Sequence, residues 1–302
     1  MNLYHTPVLL RTSVEYLITD VTATYVDVTY GGGGHSRAIL QSLNENGRLF
    51  SFDRDTVAFN QNPILDERLT LIDADFKHIQ KMLKLHNQHQ VQGIIGDLGV
   101  SSYQFDTPQR GFSIRYDAEL DMRMDQKQSL TAQEIINTYK EEQLMQIVEL
   151  YGEITNAREL AQAIVRARQY KAIKRVEELK NILQPFIYAN ESKYLAQVFQ
   201  ALRIEVNCEL QSLQSLLLQG SQLLAAGGRM VIISYHSLED RLVKNFFKNG
   251  NFNDAPNKDE FGNLTHPIPM RPITKKAIIP DVKEQKQNPR SRSAKLRAAI
   301  KL

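Results

Sequence analysis

Four consecutive glycines, Gly31–Gly34, separate a predicted buried strand, Tyr25–Thr29, from a predicted helix, Ser36–Leu43. Because glycine has no side chain, such a run lets the backbone approach a ligand and adopt positive φ. Asp53 lies 22 residues after Gly31, at the end of the next predicted strand, where a carboxylate can accept hydrogen bonds from both hydroxyls of a ribose. The spacing predicts a nucleoside cofactor at the first strand–helix turn of a doubly wound sheet. A flexible glycine turn that holds no ligand is the alternative.

The residues around this turn favour one nucleoside over another. The dinucleotide-binding pattern G-x-G-x-x-G requires a third glycine, and Ser36 stands in its place. Asp27, at the end of the preceding strand, would repel a pyrophosphate but suits a cofactor that carries an amino group. Both features favour S-adenosylmethionine over NAD. An NAD-dependent oxidoreductase is the first alternative function, and a non-catalytic RNA-binding protein on the same scaffold is the second.

A second polar cluster, Gly96–Gln104, follows the fourth predicted strand. The carboxyl ends of parallel strands converge on one crevice, so Asp97 is expected near the transferable methyl group. The N-terminal cap of the next helix is an equally good interpretation of Asp97, because Asp and Ser commonly occupy that position. Asp97, Ser101 and Ser102 are therefore candidates for catalysis.

A third cluster, Ser234–Arg241, follows a strong predicted strand, Met230–Tyr235. His236 lies at the strand end, where it could contact substrate, although a lone histidine is more often structural. Ser237 is predicted to cap the following helix, with Asp240 at its third position. The histidines are not at metal-ligand spacing and Cys208 is the single cysteine, so no metal site is predicted.

The order of predicted elements gives the fold class. Strand and helix patterns alternate up to residue 97, a helical pattern runs from Thr131 to about Ala225, and strands then resume. This order predicts an α/β protein with a parallel sheet and an inserted helical domain. The predicted domains are a sheet domain of residues 1–105 and 206–302 and a helical domain of residues 106–205. Residues 249–270 are predicted to form a loop, and Ala294–Leu302 a last strand.

Charge is concentrated at the carboxyl end of the chain. Residues 271–302 carry ten Lys and Arg against two acids, whereas the whole chain has a net charge of +3. A basic segment on a mildly acidic body favours a polyanionic partner, and a solvated tail is the alternative. The chain has no apolar run of membrane-spanning length and no signal-peptide pattern at its start. A cytoplasmic protein without a membrane partner is therefore expected.

Motifs along nearly the whole chain resemble those of the RsmH (MraW) family of bacterial methyltransferases. The matching stretches are His5–Leu9, Asp27–Ser36, Asp53–Asp55, Asp97–Ser102, Arg110–Ser113, Leu120–Asp125, Phe199–Ile204, Ser234–Arg241 and Asn288–Arg297.

The resemblance implies a class I, Rossmann-like methyltransferase fold whose inserted helical domain recognises RNA. It implies that the protein methylates the N4 amino group of a cytidine in 16S ribosomal RNA of the small ribosomal subunit. Carried over by position, the cofactor contacts are Gly33, Gly34, His35, Asp53, Phe76, Asp97 and Gln104. Candidate RNA contacts are Arg110, Arg290 and Arg292, and a homodimer is a further expectation.

Overall fold

The computed structural model describes residues 7–188 and 190–302. Met1–His5, which bear on the signal-peptide prediction, and the first two residues of the stretch His5–Leu9 lie outside the described residues. The described chain forms two compact units: one comprises the residues up to Gly99 and from Leu210 onwards, and the other is the continuous segment Val100–Glu209. We call them the sheet unit and the helical unit.

The sheet unit contains seven strands: β1 Thr24–Asp27, β2 Arg48–Asp53, β3 Leu69–Asp73, β4 Val91–Asp97, β5 Leu224–Ser234, β6 Met270–Pro272 and β7 Lys295–Lys301. Their order in the sheet is β3-β2-β1-β4-β5-β7-β6. The first five strands in this order are parallel, whereas β7 runs antiparallel to both β5 and β6. The predicted α/β fold with a parallel sheet is confirmed, and the last strand predicted at Ala294–Leu302 is present as β7. The sequence did not predict that β7 runs antiparallel to β5.

The helices in chain order are α1 Leu10–Leu17, α2 Gly34–Ser42, α3 Thr56–Gln61, α4 Ile79–Leu85, α5 Ser102–Asp106, α6 Ala132–Thr138, α7 Glu141–Gly152, α8 Ala157–Tyr170, α9 Val176–Leu183, α10 Glu191–Asn207, α11 Glu209–Leu223, α12 Ser237–Asn249 and α13 Val282–Gln287. Short 3-10 turns span Phe76–His78, Pro108–Arg110, Gln184–Phe186 and Pro289–Ser293. None of the described helices is both long and apolar enough to span a membrane.

Apolar strands build the core of the sheet unit. Val26, Ile94 and Ile232 lie in one buried cluster, and Tyr25, Ile95 and Val231 lie in another. Successive residues of a strand point to opposite faces, so neighbours such as Ile94 and Ile95 supply both clusters. Burial on both faces explains the near-continuous hydrophobic runs of β4 and β5.

The helical unit has its own core, in which Ile135, Leu160 and Leu179 are fully buried. Its first part is irregular but ordered. Arg110 is buried, and its guanidinium donates to the carbonyl oxygens of Arg123 at 2.9 Å and Met124 at 3.1 Å. These bonds satisfy backbone groups of a segment that has no helix or strand to pair them.

Several element boundaries differ from those predicted. β5 begins at Leu224, whereas the sequence placed the strand start at Met230 and continued the helix to Ala225. The predicted helix Phe76–Leu85 starts as a 3-10 turn. The predicted loop over 249–270 is confirmed for residues 250–269, since α12 ends at Asn249 and β6 begins at Met270.

Candidate active site at the strand ends of the sheet unit

The glycine turn is specified by close packing and by backbone conformation. Gly33 has φ +72°, in the left-handed region, and a Cβ added to it would lie 3.0 Å from the hydroxyl oxygen of Tyr30. A Cβ on Gly34, the first residue of α2, would lie 2.1 Å from Cγ of Pro7. The N–H of Gly31 donates to Oδ2 of Asp53 at 2.8 Å. The turn and the acid that ends β2 therefore form one hydrogen-bonded structure.

Asp27 holds this turn from inside the sheet unit. Its carboxylate accepts hydrogen bonds from the Ser36 hydroxyl at 2.7 Å and from the Thr29 N–H at 3.0 Å. The Ser36 hydroxyl also contacts that of Ser51, 2.8 Å away. Asp27 is fully buried, and burial raises the pKa of its carboxyl group. Ser36, in place of the third glycine, thus supplies one of the hydrogen bonds to Asp27. The preference of Asp27 for a cofactor that carries an amino group stays a prediction.

Asp53 retains capacity to bind further groups. Besides the Gly31 N–H, its carboxylate accepts the N–H of Asp55 at 2.9 Å through Oδ1. Burial raises the pKa of Asp53 to about 6, and the bonds from Asp55 and Gly31 oppose that rise. A carboxylate has about four acceptor positions. Those not used by the two backbone groups suit a pair of ribose hydroxyls.

Asp97 ends β4 and is bound from three directions. Its Oδ1 accepts the hydroxyl of Tyr235 at 2.7 Å, and its Oδ2 lies 3.7 Å from Nδ1 of His35. Its N–H donates to the Thr29 hydroxyl at 2.7 Å. Burial raises the pKa of Asp97 to about 6, while His35 and Tyr235 lower it. The helix-cap interpretation of Asp97 is wrong, because Ser101 caps α5.

His35, which is buried, and Tyr235, which is partly buried, both contact Asp97. Burial lowers the pKa of His35 despite the attraction of Asp97, so its imidazole is neutral at pH 7. Burial raises the pKa of Tyr235 well above its usual value, so its hydroxyl keeps its proton. Tyr235 directly follows β5 and thus belongs to the same end of the sheet as Asp53 and Asp97. The signal in the sequence that could have identified Tyr235 is its place at the end of the predicted strand Met230–Tyr235.

His236 has a structural position in the sheet unit. It caps α12, since its Nδ1 accepts the N–H of Glu239 at 3.4 Å. Its Nε2 lies 3.3 Å from Oε1 of Glu239, and Oε2 of the same carboxylate accepts the Tyr235 N–H at 2.9 Å. The prediction that Ser237 caps this helix with Asp240 at the third position is therefore wrong. His236 and Glu239 fill those positions, and Asp240 instead binds Arg297 at 2.6 Å.

Phe76 follows β3 and is half-buried at the start of its 3-10 turn. The preceding Asp75 caps this turn by accepting the N–H of Lys77 at 2.9 Å. Asp75 also pairs with Arg54, whose Nη1 lies 3.3 Å away. These contacts of Asp75 hold the backbone next to Phe76 in place. An aromatic ring at this position can cover the face of a base.

The remaining predicted residues lie elsewhere. Ser101 and Gln104 form a reciprocal capping box: the Ser101 hydroxyl accepts the Gln104 N–H at 3.2 Å, and Gln104 Oε1 accepts the Ser101 N–H at 3.0 Å. Ser102, the first residue of α5, belongs with them to the helical unit. Arg290 is partly exposed and Arg292 exposed in the last 3-10 turn of the sheet unit. Their roles stay predictions.

A seven-stranded sheet of this order, with a glycine turn bound to one strand-end acid and a second acid two strands away, defines a class I methyltransferase that uses S-adenosylmethionine. A family profile described as the MraW methylase family matches residues 2–302, and the chain belongs to this family. Membership excludes the NAD-dependent oxidoreductase that the sequence left open.

Three relatives carry the name "Ribosomal RNA small subunit methyltransferase H". The protein of Cytophaga hutchinsonii is 52% identical over 299 residues, which cover 98% of this chain and 99% of that one. The protein of Bacteroides thetaiotaomicron is 50% identical, with 99% and 97% covered. The protein of Flavobacterium johnsoniae is 50% identical over 300 residues, with 99% and 98% covered.

Proposed function

We propose that this protein transfers a methyl group from S-adenosylmethionine to the N4 amino group of a cytidine in 16S ribosomal RNA of the small ribosomal subunit. The observation that carries the proposal is the pair of strand-end carboxylates, Asp53 and Asp97, bound to the glycine turn and to Tyr235. The names of the relatives support ribosomal RNA as the substrate. A protein that acts on ribosomal subunits works in the cytoplasm, while the homodimer stays a prediction.

The cofactor fits the residues on three grounds. Gly33 and Gly34 form a turn that has no room for a Cβ and therefore presents bare backbone, and Asp53 has acceptor positions for two ribose hydroxyls. Phe76 offers a ring for the adenine. The proposed cofactor contacts are Gly33, Gly34, His35, Asp53, Phe76, Asp97 and Gln104. When bound, S-adenosylmethionine supplies an electrophilic methyl group on a sulfonium.

Asp97 is the residue we assign to the amino group of the cytosine. That nitrogen is a poor nucleophile because its lone pair is delocalised into the ring. A carboxylate that accepts one N–H bond localises the lone pair, and it can take the proton once the N–C bond has formed. Oδ1 of Asp97 is occupied by Tyr235, so the proposal assigns this work to Oδ2. His236 and Ser101 contribute by capping helices, and Ser102 remains a candidate for orienting the base.

RNA recognition is proposed to involve both domains. The helical domain of residues 106–205 would recognise the RNA around the target base, and the sheet domain of residues 1–105 and 206–302 would bind the cofactor. The target base must leave its stack to reach such a site. Arg290 and Arg292 are proposed to contact phosphates. Arg110 is left out of the proposal, because its buried guanidinium is bound to two carbonyl oxygens.

The test is incubation of the protein with 30S subunits and cofactor labelled in its methyl group, followed by nucleoside analysis of the 16S RNA. The expected product is labelled N4-methylcytidine. Label on another atom or another base would contradict the assignment. No transfer at all, from a folded protein that binds the cofactor, would favour a non-catalytic RNA-binding protein. Asp97→Asn is the matched variant, since it keeps the shape of the side chain and removes the proton acceptor.

A further inference from the structure

The charges of the two units are unequal. The helical unit carries 14 Lys and Arg against 16 Asp and Glu, a net charge of −2. Within the sheet unit, residues 271–302 alone carry +8. Phosphate contacts supply most of the sequence-independent affinity for nucleic acids, so the basic segment of the sheet unit is favoured over the helical unit as the source of the electrostatic part of RNA binding.

Two cations of the basic segment are used inside the fold. Oδ2 of Asp240 accepts from Lys295 at 3.3 Å, and its Oδ1 accepts from Arg297 at 2.6 Å. Both acids of the segment also have structural roles. Asp281 caps α13 by accepting the Glu284 N–H at 2.7 Å, and Glu284 accepts the N–H of Leu9 at 2.7 Å. Within the described residues, neither acid forms an ion pair with a lysine.

Six cations remain exposed in this segment. They are Arg271, Lys275, Lys276, Lys283, Lys286 and Arg292. Within residues 7–188 and 190–302, the structure gives none of them an ion pair. Their charge is thus available to an external partner.

The backbone that carries these six residues is anchored. Ile273 donates to the carbonyl oxygen of Ala298 at 2.8 Å, and Ile278 donates to that of Leu296 at 2.9 Å. Lys275 and Lys276 therefore lie in a short loop that both ends tie to β7. Lys283 and Lys286 are three residues apart in α13 and share one of its sides. Anchored cations lose less conformational freedom on binding than cations on a disordered tail.

From this arrangement we infer that the exposed cations of residues 271–292, centred on Lys275, Lys276, Lys283 and Lys286, form the surface that binds the phosphate backbone of the RNA. The inference rests on the proposed function, because RNA is the polyanion that this function supplies. It assigns affinity to the sheet unit and leaves the choice of target to contacts with bases, since phosphate contacts carry little sequence information. The surface extends beyond the Arg290–Arg292 turn that the sequence singled out.

The decisive variant replaces the four lysines together, Lys275→Ala, Lys276→Ala, Lys283→Ala and Lys286→Ala. Each lost phosphate contact lowers the slope of log affinity against log salt concentration by about 0.7 to 0.9. We expect the slope to fall by about three and affinity for 16S RNA at low salt to drop about tenfold or more. Cofactor affinity, measured by calorimetry, should be unchanged and reports that the sheet unit is folded.

The matched control removes four exposed lysines from other helices of the same unit. Two lie in α4 and two in α12: Lys81, Lys84, Lys244 and Lys248. This control has the same net charge as the test variant and should keep most of the wild-type slope. An equal loss in both variants would mean that overall charge, and not this surface, binds the RNA, and the inference would fall.

An acidic protein of the ribosomal subunit is the competing partner, and exposed Ile279 and Val282 allow a separate test. If Ile279→Ser/Val282→Ser weakens binding to intact subunits while the four-lysine variant keeps the wild-type salt slope on bare RNA, the surface binds protein and the inference is overturned. Failure of the proposed function looks different: wild-type protein would then transfer no methyl group to any subunit. A wild type that methylates, together with an unchanged slope in the four-lysine variant, would refute this inference alone.

Discussion

Tyr235→Phe tests whether the hydroxyl of Tyr235 sets the ionisation of Asp97. The substitution keeps the ring and removes one donor, which lies 2.7 Å from Oδ1 of the carboxylate. That bond favours the ionised carboxylate, so its loss raises the pKa of Asp97 above its value of about 6. A hydrogen bond to a charged group contributes about 1.5–3 kcal/mol, and about 1.4 kcal/mol corresponds to one pH unit. The lower figure predicts an upward shift of about one pH unit.

The consequence for the reaction follows from the sign of that shift. Methyl transfer needs ionised Asp97, so the rate falls as the pH falls through the pKa of this group. At pH 6.5 the variant should be about threefold slower than wild type, and by pH 8.5 the two should nearly coincide. Three other titratable groups act on Asp97: His35, Asp27 and Glu239. Burial lowers the pKa of His35, so its imidazole is neutral on the alkaline side of this range.

The assay is single-turnover methyl transfer to 30S subunits at saturating cofactor, measured from pH 5.5 to 9. Tyr25→Phe is the control, because Tyr25 is a buried tyrosine of the same unit whose hydroxyl donates to the carbonyl oxygen of Asp20 at 2.9 Å and not to Asp97. It should leave the acid side of the profile in place. If the profile of Tyr235→Phe superimposes on that of wild type, the hydroxyl does not control Asp97 and the proposed role of this carboxylate as proton acceptor loses its support.

Three further predictions concern the strand ends and the helical unit. Asp53→Ala should weaken cofactor binding by about 1.5–3 kcal/mol in calorimetry. The control is Asp73→Ala, because Asp73 is exposed and is the residue of β3 aligned with Asp53, and it should not change the affinity. Equal cofactor affinities for wild type and Asp53→Ala would show that Asp53 is not part of the site. Without cofactor, Asp97→Asn should melt about 2–6 °C above wild type at pH 8. The reason is that the pKa of Asp97 in the folded protein, about 6, exceeds the ordinary 3.8, so the ionised carboxylate destabilises the fold. The difference in melting temperature should vanish near pH 4, and a difference that is independent of pH would contradict this reasoning. Arg110→Ala should lower the free energy of unfolding of the helical unit by about 1.5–3 kcal/mol in denaturant unfolding. A variant with unchanged stability and weakened RNA affinity would show instead that Arg110 contacts RNA.

The strand ends were predictable because their signals are local. Continuous apolar runs identified β2 and β4, and Asp53 and Asp97 were found as the polar residues that end them. The residues that hold those acids were harder to find. Tyr235 binds Asp97 across 138 positions of sequence, and no periodicity within one element reports a contact of that separation.

Other features depended on the tertiary structure. Serine is a common helix cap and histidine is not, so the sequence predicts Ser237 and not His236 as the N-terminal cap of α12. Arginine is rarely buried, and Arg110 is buried because an irregular segment presents two carbonyl oxygens to it. The early start of β5 was missed because Gly227 and Gly228 interrupt its apolar pattern.

β5 joins the two parts of the sheet, since it pairs with β4 on one side and with β7 on the other. β4 ends at Asp97 and β5 begins at Leu224. The helical unit, Val100–Glu209, is therefore synthesised between these two neighbouring strands. Nascent chains fold from the amino end. The helical unit, a continuous segment, can therefore complete its core while β4 still has a bare hydrogen-bonding edge, which is a site for aberrant pairing. β7 is the last of the seven strands in the chain, so until it is synthesised the sheet lacks the strand between β5 and β6.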